Sequence, residues 1–299
     1  MNNLYCDFHS HTINSDGSSS IEELIELAKK ANIGVLAITD HDTYDERIEE
    51  VKRNEKDILV ITGAEFSTKY ISSNGQYVTV HVIGLFFDYK NKKIQSMFHE
   101  SRVNQESYIK AILKKLSDEG MVITYEELLK ANPGRKVLGR IPIAKLMMQK
   151  GFPGCETVYK AMDNWIGSLG LRKCYVEGLE YLNFPAMSEV IKTIREAGGI
   201  AVLCHPYYYY HQLGNNGIEN LIKYFKFYAG SAGALEVFYK DYTVEQQKNL
   251  KNLADKYELL PSAGSDYHGQ DICETLNHHF PITIYDALLE RKKNLYSTK

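Results

Sequence analysis

Short apolar runs recur along the chain, and most are followed by a segment with apolar residues at helical spacing. The runs have the length of strands, and strands that alternate with helices are typical of a parallel sheet or barrel. We therefore predict an α/β fold with seven strands, at residues 4–8, 35–39, 58–62, 77–87, 200–204, 233–239 and 259–263.

The predicted helices are marked by end signals as well as by spacing. Ser20 and Glu23 form a capping box, in which each side chain pairs with a free backbone N–H at the helix start, and Thr124 with Glu127 repeats it. Gly198 and Gly199 end a further helix. Together these signals predict helices after Ser20, at 44–54, after Thr124, around 143–147, and at 188–197, 221–228 and 244–257.

The alternation stops in the middle of the chain. From about residue 95 to 184 only helical periodicity is visible, interrupted by two Pro-Gly turns. We therefore predict a barrel built from residues 1–94 and 185–299, with a helical cap subdomain inserted at 95–184.

Composition narrows the class of protein. The net charge is −3, so no general basic field draws the chain to nucleic acid or membrane, and no apolar run is long enough for a membrane span. The start of the sequence lacks the basic and apolar regions of a signal peptide. Dispersed cysteines without a C-x-x-C pair predict reduced thiols in a cytoplasmic protein, and we interpret Cys6 and Cys204 as core residues rather than ligands. The cysteines are Cys6, Cys155, Cys174, Cys204 and Cys273.

Imidazoles and carboxylates lie at or near the ends of the predicted strands. His9 and His11 are two residues apart, so along a strand they point to the same face, and Asp16 follows after a turn. A histidine-rich strand end with a turn at Asp16 and Gly17 is the alternative interpretation. In a barrel, the carboxyl ends of the strands carry the active site. The candidate ligands there are His9, His11, Asp16, His41, Glu65, His81, His205, Asp266 and His268.

These groups together predict a metal centre. A rim of such residues would bury unpaired charge, which is costly, and bound cations remove that cost. Their number exceeds the needs of one ion, so we expect two or three divalent metal ions. Imidazole and carboxylate ligands without thiolate fit manganese, iron or zinc better than calcium, and we favour manganese. His81, in the middle of an apolar run, could instead be a structural residue.

Five motifs resemble those of the polymerase and histidinol phosphatase (PHP) superfamily, in the expected order. They are His9-Ser10-His11 with Ser15-Asp16-Gly17, Thr39-Asp40-His41-Asp42, Gly63-Ala64-Glu65, His205-Pro206 and Gly264-Ser265-Asp266-Tyr267-His268. The resemblance implies a distorted seven-stranded (β/α) barrel with a trinuclear metal site. One metal would take His9, His11, Glu65 and Asp266. A second would share Glu65 and take His81 and His205, and a third would take Asp16, His41 and His268.

The insertion resembles the branch of nucleoside 3',5'-bisphosphate phosphatases and 5'-3' exoribonucleases. That resemblance implies hydrolysis of nucleotide phosphate monoesters or diesters, first of 3',5'-bisphosphates, by a metal-activated hydroxide at His9, His11, Glu65 and Asp266. Gly139-Arg140 matches a cap motif that meets substrate phosphate, but Ile141-Pro142 replaces the family's Pro-His, which leaves the exact substrate open.

Further residues are candidates for supporting roles. Asp40 could orient the imidazole of His41 or cap a helix, and Glu236 could support a ligand or be a solvated strand end. Arg140 could bind a second phosphate or the leaving group, unless it is simply solvated. His211 could contact the substrate and donate the leaving-group proton. The run Tyr207–Tyr210 could stack on a base or pack in a loop.

Other functions remain open at this point. The same site could act as an exoribonuclease on short RNA. Histidinol phosphate phosphatase is disfavoured because that branch generally lacks the cap, and a metal-binding module for a partner protein is disfavoured by the complete ligand set. A near-neutral charge favours a small phosphorylated substrate over a long RNA. We expect no membrane association and no obvious protein partner.

Overall fold

A computed structural model describes residues 5–167, 172–269 and 275–296. Two of the sequence predictions, Leu4 as a strand residue and Cys273 as a thiol, lie outside these ranges. The chain divides into two compact units, one of residues 1–97 and 184–299 and one of residues 98–183.

The first unit contains a seven-stranded sheet whose spatial order follows the sequence. The number of strands confirms the prediction. The strands are β1 (Tyr5–Asp7), β2 (Ile33–Ile38), β3 (Leu59–Ile71), β4 (Tyr77–Leu85), β5 (Ile200–Leu203), β6 (Gly233–Tyr239) and β7 (Leu260–Gly264).

One strand departs from the predicted parallel arrangement. β1, β2 and β3 are parallel, as are β5, β6 and β7, but β4 is antiparallel to both of its neighbours. The reason is the short connection at 72–76, where Ser72 N–H donates to the Gln76 carbonyl and Gly75 has a positive φ of 79°. A parallel pair needs a crossover of a dozen or more residues, so this turn makes a hairpin. β3 also extends well beyond its predicted end at residue 62 because its second half pairs with β4.

The first and last strands are joined beyond their ends. Phe8 N–H donates to the Ala263 carbonyl at 3.0 Å, and Asp266 N–H donates to the His9 carbonyl at 2.8 Å. His11 N–H donates to the Tyr267 carbonyl at 2.8 Å. These bonds close the sheet in the manner of a barrel and place the segment after β1 beside the segment after β7.

The predicted helices are present in both units, although their boundaries shift, and the last helix, Thr283–Tyr296, was not predicted. Both predicted capping boxes are confirmed, with reciprocal hydrogen bonds at Ser20 and at Thr124. No helix in the described ranges is long and apolar enough to cross a membrane. The helices are α1 (Ile21–Lys30), α2 (Arg47–Asn54), α3 (Lys92–Asp118), α4 (Tyr125–Ala131), α5 (Arg140–Gln149), α6 (Val158–Ala161), α7 (Met187–Glu196), α8 (Tyr210–Ala229), α9 (Val244–Lys256) and α10 (Thr283–Tyr296).

Each unit has its own hydrophobic core. In the first unit, alternate strand residues such as Val35, Ile83 and Val202 pack with Leu288 of α10. Cys6 and Cys204 belong to this core and are buried, as predicted. In the second unit, a separate cluster packs α3 against α5, with no strand among the described residues of that unit.

Candidate metal centre

Glu65 is the centre of the site. It lies on β3 and is 1% exposed. Its Oε2 atom is 3.3 Å from both His9 Nε2 and His11 Nε2, and 3.1 Å from His41 Nδ1. Its Oε1 atom is 2.9 Å from His81 Nδ1 and 3.0 Å from His205 Nε2. One buried carboxylate therefore faces five imidazoles, which come from the ends of β1, β2 and β5 and from the middle of β4.

Asp266 supplies a second carboxylate to the same group. Its Oδ1 atom is 3.0 Å from His9 Nε2 and 3.1 Å from His11 Nε2, while its Oδ2 atom accepts a hydrogen bond from the Tyr239 hydroxyl at 2.9 Å. Its φ of 51° is in the left-handed region. The candidate ligand atoms of His9, His11, Glu65 and Asp266 all lie within 4.8 Å of one another, and these are the residues expected to share one metal.

A second group forms around Asp16. Its carboxylate oxygens are 3.4 Å from His268 Nε2, 3.7 Å from His41 Nε2 and 3.8 Å from His11 Nδ1. Asp16, His41 and His268 are thus brought together as expected. His11 also belongs to this group, to which it was not assigned from the sequence. Its two ring nitrogens face different carboxylates, since Nε2 faces Glu65 and Nδ1 faces Asp16.

Glu65 Oε1 brings together the remaining expected set of Glu65, His81 and His205. Both imidazoles approach the same Glu65 oxygen, but they fall in two close groups. His81 lies with His41 and Glu65, whereas His205 lies with His9, Glu65 and Cys204.

Cys204 lies in the site, which the sequence analysis did not predict. It is a core residue, as predicted, but its thiol also donates to Glu65 Oε1 at 3.5 Å. Burial and the nearby Glu65 carboxylate raise the pKa of the thiol well above its usual value, so it is a protonated donor. Its position directly before His205 was the available signal.

Two carboxylates support the ligands from outside the cluster. Glu236 Oε1 lies 3.0 Å from His9 Nδ1, and its Oε2 accepts the backbone N–H of His205 at 2.6 Å. Asp40 accepts hydrogen bonds from Thr12 N–H, from the Thr12 hydroxyl and from the Ser15 hydroxyl, at 2.8, 2.6 and 2.7 Å. Asp40 therefore fixes the turn that carries Asp16, and no hydrogen bond within the described ranges joins its side chain to the His41 ring or to a helix start.

Tyr209 also contacts two candidate ligands. Its hydroxyl accepts the backbone N–H of His81 at 2.8 Å and lies 3.2 Å from His205 Nδ1. Tyr209 is 3% exposed, so its hydroxyl links β4 to the segment after β5 from within the core. The sequence offered only an undivided tyrosine run, which does not identify this member.

The donor set fits divalent cations. Several buried atoms have no hydrogen-bond partner among the described residues, although buried polar groups are normally paired. They include His9 Nε2, His11 Nδ1, Glu65 Oε2 and His81 Nδ1. All of these atoms face the candidate groups, where bound cations would pair them.

The electrostatics of the cluster lead to the same conclusion. Burial lowers the pKa of His9, but Asp266, Glu65 and Glu236 outweigh burial and raise it well above the usual value. Burial raises the pKa of Glu65, but His41, His9 and His81 outweigh it and hold that pKa well below the usual value. The carboxylates are thus ionised and attract positive charge, which protons supply when metal ions do not.

Two predicted substrate residues are not among the candidate ligands. His211 is exposed on the first turn of α8 and belongs to none of the close ligand groups in the described residues. Arg140 is the first residue of α5, in the second unit, where it lowers the pKa of the Tyr108 hydroxyl against the larger effect of burial. Roles for both in substrate binding stay predictions.

Comparisons with known proteins identify the family. A model described as the PHP domain matches residues 7–179. A 5'-3' exoribonuclease of Haemophilus influenzae is 29% identical over 265 residues, which cover 88% of this chain and 89% of the relative. A 3',5'-nucleoside bisphosphate phosphatase of Chromobacterium violaceum is 24% identical over 279 residues, which cover 90% of each chain.

Similarity extends to a solved structure. A protein of Bifidobacterium adolescentis, assigned to the metal-dependent phosphoesterases, has a TM-score of 0.76 and 26% identity to this chain and is matched over 96% of both chains. The family match covers more than half of the sequence and includes His9, Glu65 and His81. The chain belongs to the PHP domain family and is a metal-dependent phosphoesterase.

Proposed function

We propose that nucleoside 3',5'-bisphosphates are the substrates of this phosphoesterase and that it removes one of their phosphate groups. The carrying observation is the buried Glu65 carboxylate facing five imidazoles, flanked by Asp16 and Asp266. The bisphosphate phosphatase of Chromobacterium violaceum supports the choice of substrate.

The proposal includes two or three bound divalent ions, with manganese favoured and iron or zinc as alternatives. One ion would be held by His9, His11, Glu65 and Asp266. Glu65 with His81 and His205 would hold a second, and Asp16, His41 and His268 a third. When bound, such ions lower the pKa of a coordinated water and neutralise charge that develops at phosphorus.

The chain's own residues orient the site. In this proposal Glu236 Oε1 accepts a hydrogen bond from His9 Nδ1–H, which leaves Nε2 free as the ligand atom. Asp40 holds the turn from Thr12 to Ser15 and so fixes the position of Asp16. In this proposal Arg140 binds the second phosphate through a bidentate contact, and His211 donates a proton to the leaving group.

Hydrolysis of short RNA from its 5' end is a second candidate. The relative of Haemophilus influenzae, named a 5'-3' exoribonuclease, supports it. The same ligand groups would serve both reactions, since each breaks a phosphoester bond of a nucleotide. We also propose a cytoplasmic location, supported by the described cysteines, which are free thiols.

A substrate panel with manganese tests the proposal. We expect hydrolysis of adenosine 3',5'-bisphosphate to exceed that of a short 5'-phosphorylated RNA and of histidinol phosphate. Faster turnover of the RNA would replace the first candidate with the second. Metal removal should abolish the activity, as should Asp266→Asn, and full activity of a metal-free Asp266→Asn protein would overturn the metal-dependent account.

A further inference from the structure

Four consecutive tyrosines follow His205 and Pro206, and they differ in what they contact. Tyr209 is buried and bonded to the ligand segments. Tyr207 accepts a hydrogen bond from the Asn249 amide at 2.9 Å, and its ring lies 5.4 Å from that of Tyr242. Tyr210 is 43% exposed and begins α8. These three residues have roles in packing or in the start of the helix.

Tyr208 is different because most of its side chain is open to solvent. It is 75% exposed, and no residue within the described ranges is hydrogen-bonded to its hydroxyl. A single exposed aromatic ring is ordinary on a protein surface, so exposure alone indicates nothing. The position of this ring beside the metal centre is the informative feature.

The ring of Tyr208 is held in place on one side. Its centroid is 5.5 Å from that of His205 and 6.0 Å from that of Tyr209, both in edge-to-face geometry. Its backbone N–H donates to the His205 carbonyl at 2.8 Å, and His205 itself has a left-handed φ of 30°. Tyr208 is therefore anchored to a candidate ligand while most of its surface stays open to solvent.

We propose that Tyr208 is the platform on which the nucleobase of the substrate stacks while a phosphate lies at the metal centre. The proposal rests on the proposed function and names the part of the substrate that the ligand groups do not hold. Stacked rings lie about 4.5–7 Å apart, so a base on Tyr208 would be one ring layer beyond His205 and within reach of one sugar. Every base has a π face, so this platform accepts purines and pyrimidines alike.

The test compares substrates with and without a base. In the manganese-loaded protein, Tyr208→Ala should raise the KM for adenosine 3',5'-bisphosphate about tenfold and leave the KM for ribose 3,5-bisphosphate unchanged. Tyr208→Phe keeps the ring and should behave as the wild type. Tyr210→Ala, a change at the neighbouring exposed tyrosine, is the matched control and should alter neither constant. Uridine 3',5'-bisphosphate should respond to Tyr208→Ala as the adenosine compound does.

Other results would overturn the platform. If Tyr208→Ala changed the KM for adenosine 3',5'-bisphosphate and for ribose 3,5-bisphosphate equally, the base would not be involved. If Tyr208→Phe raised the KM as much as Tyr208→Ala does, the hydroxyl and not the ring would be responsible. If the wild type hydrolyses no bisphosphate, the proposed function fails, and calorimetric titration with adenosine monophosphate still decides the platform. Unchanged affinity for that nucleotide in Tyr208→Ala would then refute it.

Discussion

At the scale of single residues, the metal centre depends on how Glu65 is surrounded. Two carboxylate oxygens face five imidazoles, so the proposed ions would share this residue. His9, His11 and His41 each belong to two of the close groups. A change at Glu65 should therefore affect more of the centre than a change at a peripheral ligand such as His268.

Tyr209 provides a residue-scale prediction. In Tyr209→Phe the buried His81 N–H loses its acceptor, which we expect to cost about 1–3 kcal/mol of unfolding free energy. The change also frees the ring of His205, so kcat should fall with little change in KM. Urea unfolding and steady-state kinetics measure the two effects.

Tyr208→Phe is the matched control for this change, since it removes a hydroxyl with no described hydrogen-bond partner. It should leave both stability and kcat unchanged. Equal stability of the Tyr209→Phe and wild-type proteins would contradict the assigned hydrogen bond.

Residue chemistry also determined how much of the site was predictable from the sequence. His9, Glu65 and Asp266 stood out because ionisable residues beside apolar runs have few structural uses. Cys204 and Tyr209 did not stand out, because a buried thiol or ring in an apolar run is consistent with ordinary packing. The contact of Asp40 with the turn from Thr12 to Ser15 was not predicted, since adjacency to His41 along the chain does not reveal which turn its oxygens face.

At the scale of elements, the site depends on the close approach of β1 and β7. Gly264 ends β7, and a Cβ placed there would overlap the Cβ of His9 and lie 2.6 Å from Glu236 Oε1. Only the absence of a side chain at this position lets Glu236 reach the His9 ring.

Gly264→Ala should therefore disturb the centre without removing any ligand. Overpacking of this kind costs about 1–3 kcal/mol, and displacement of His9 should weaken manganese binding at the same time. Gly178→Ala, where the nearest atom to an added Cβ is 3.4 Å away, is the control and should have neither effect. Isothermal titration with manganese measures the binding. Wild-type affinity in Gly264→Ala would contradict the role given to Gly264.

The direction of β4 is a feature of the sheet that the periodicity of the sequence did not predict. Periodicity gives the face of a strand but not its direction, so alternation suggested a parallel neighbour. The short link with Asn74 and Gly75 was the available signal for a hairpin. The seven strands themselves were predictable because each is bounded by turn residues or by the site's polar groups.

At the scale of the whole molecule, the ion-free protein should depend on pH in a defined direction. Burial lowers the pKa of His268, but Asp16 outweighs it and raises that pKa from 6.5 to about 9. A raised histidine pKa stabilises the fold fully below pH 6.5, and that contribution is lost as pH rises through 9. His9 and His41 shift in the same direction.

We therefore expect chelator-treated protein to lose stability between pH 6.5 and 9. Thermal unfolding at the two limits measures the loss, and His268→Gln should reduce it. Manganese affinity should increase over the same range, because fewer protons compete for the imidazoles. Stability that rises with pH in the chelated protein would contradict the arrangement of charges around Asp16.

The central claim is that one shared carboxylate, Glu65, organises a centre of several ions. The number of metal ions bound per chain tests this claim most directly. Mass spectrometry of manganese-loaded, desalted protein should give two or three ions per chain in the wild type. Glu65→Gln should lose at least two of them, whereas His268→Gln should lose one. A wild type with a single ion, or a Glu65→Gln protein with as many ions as the wild type, would contradict the account.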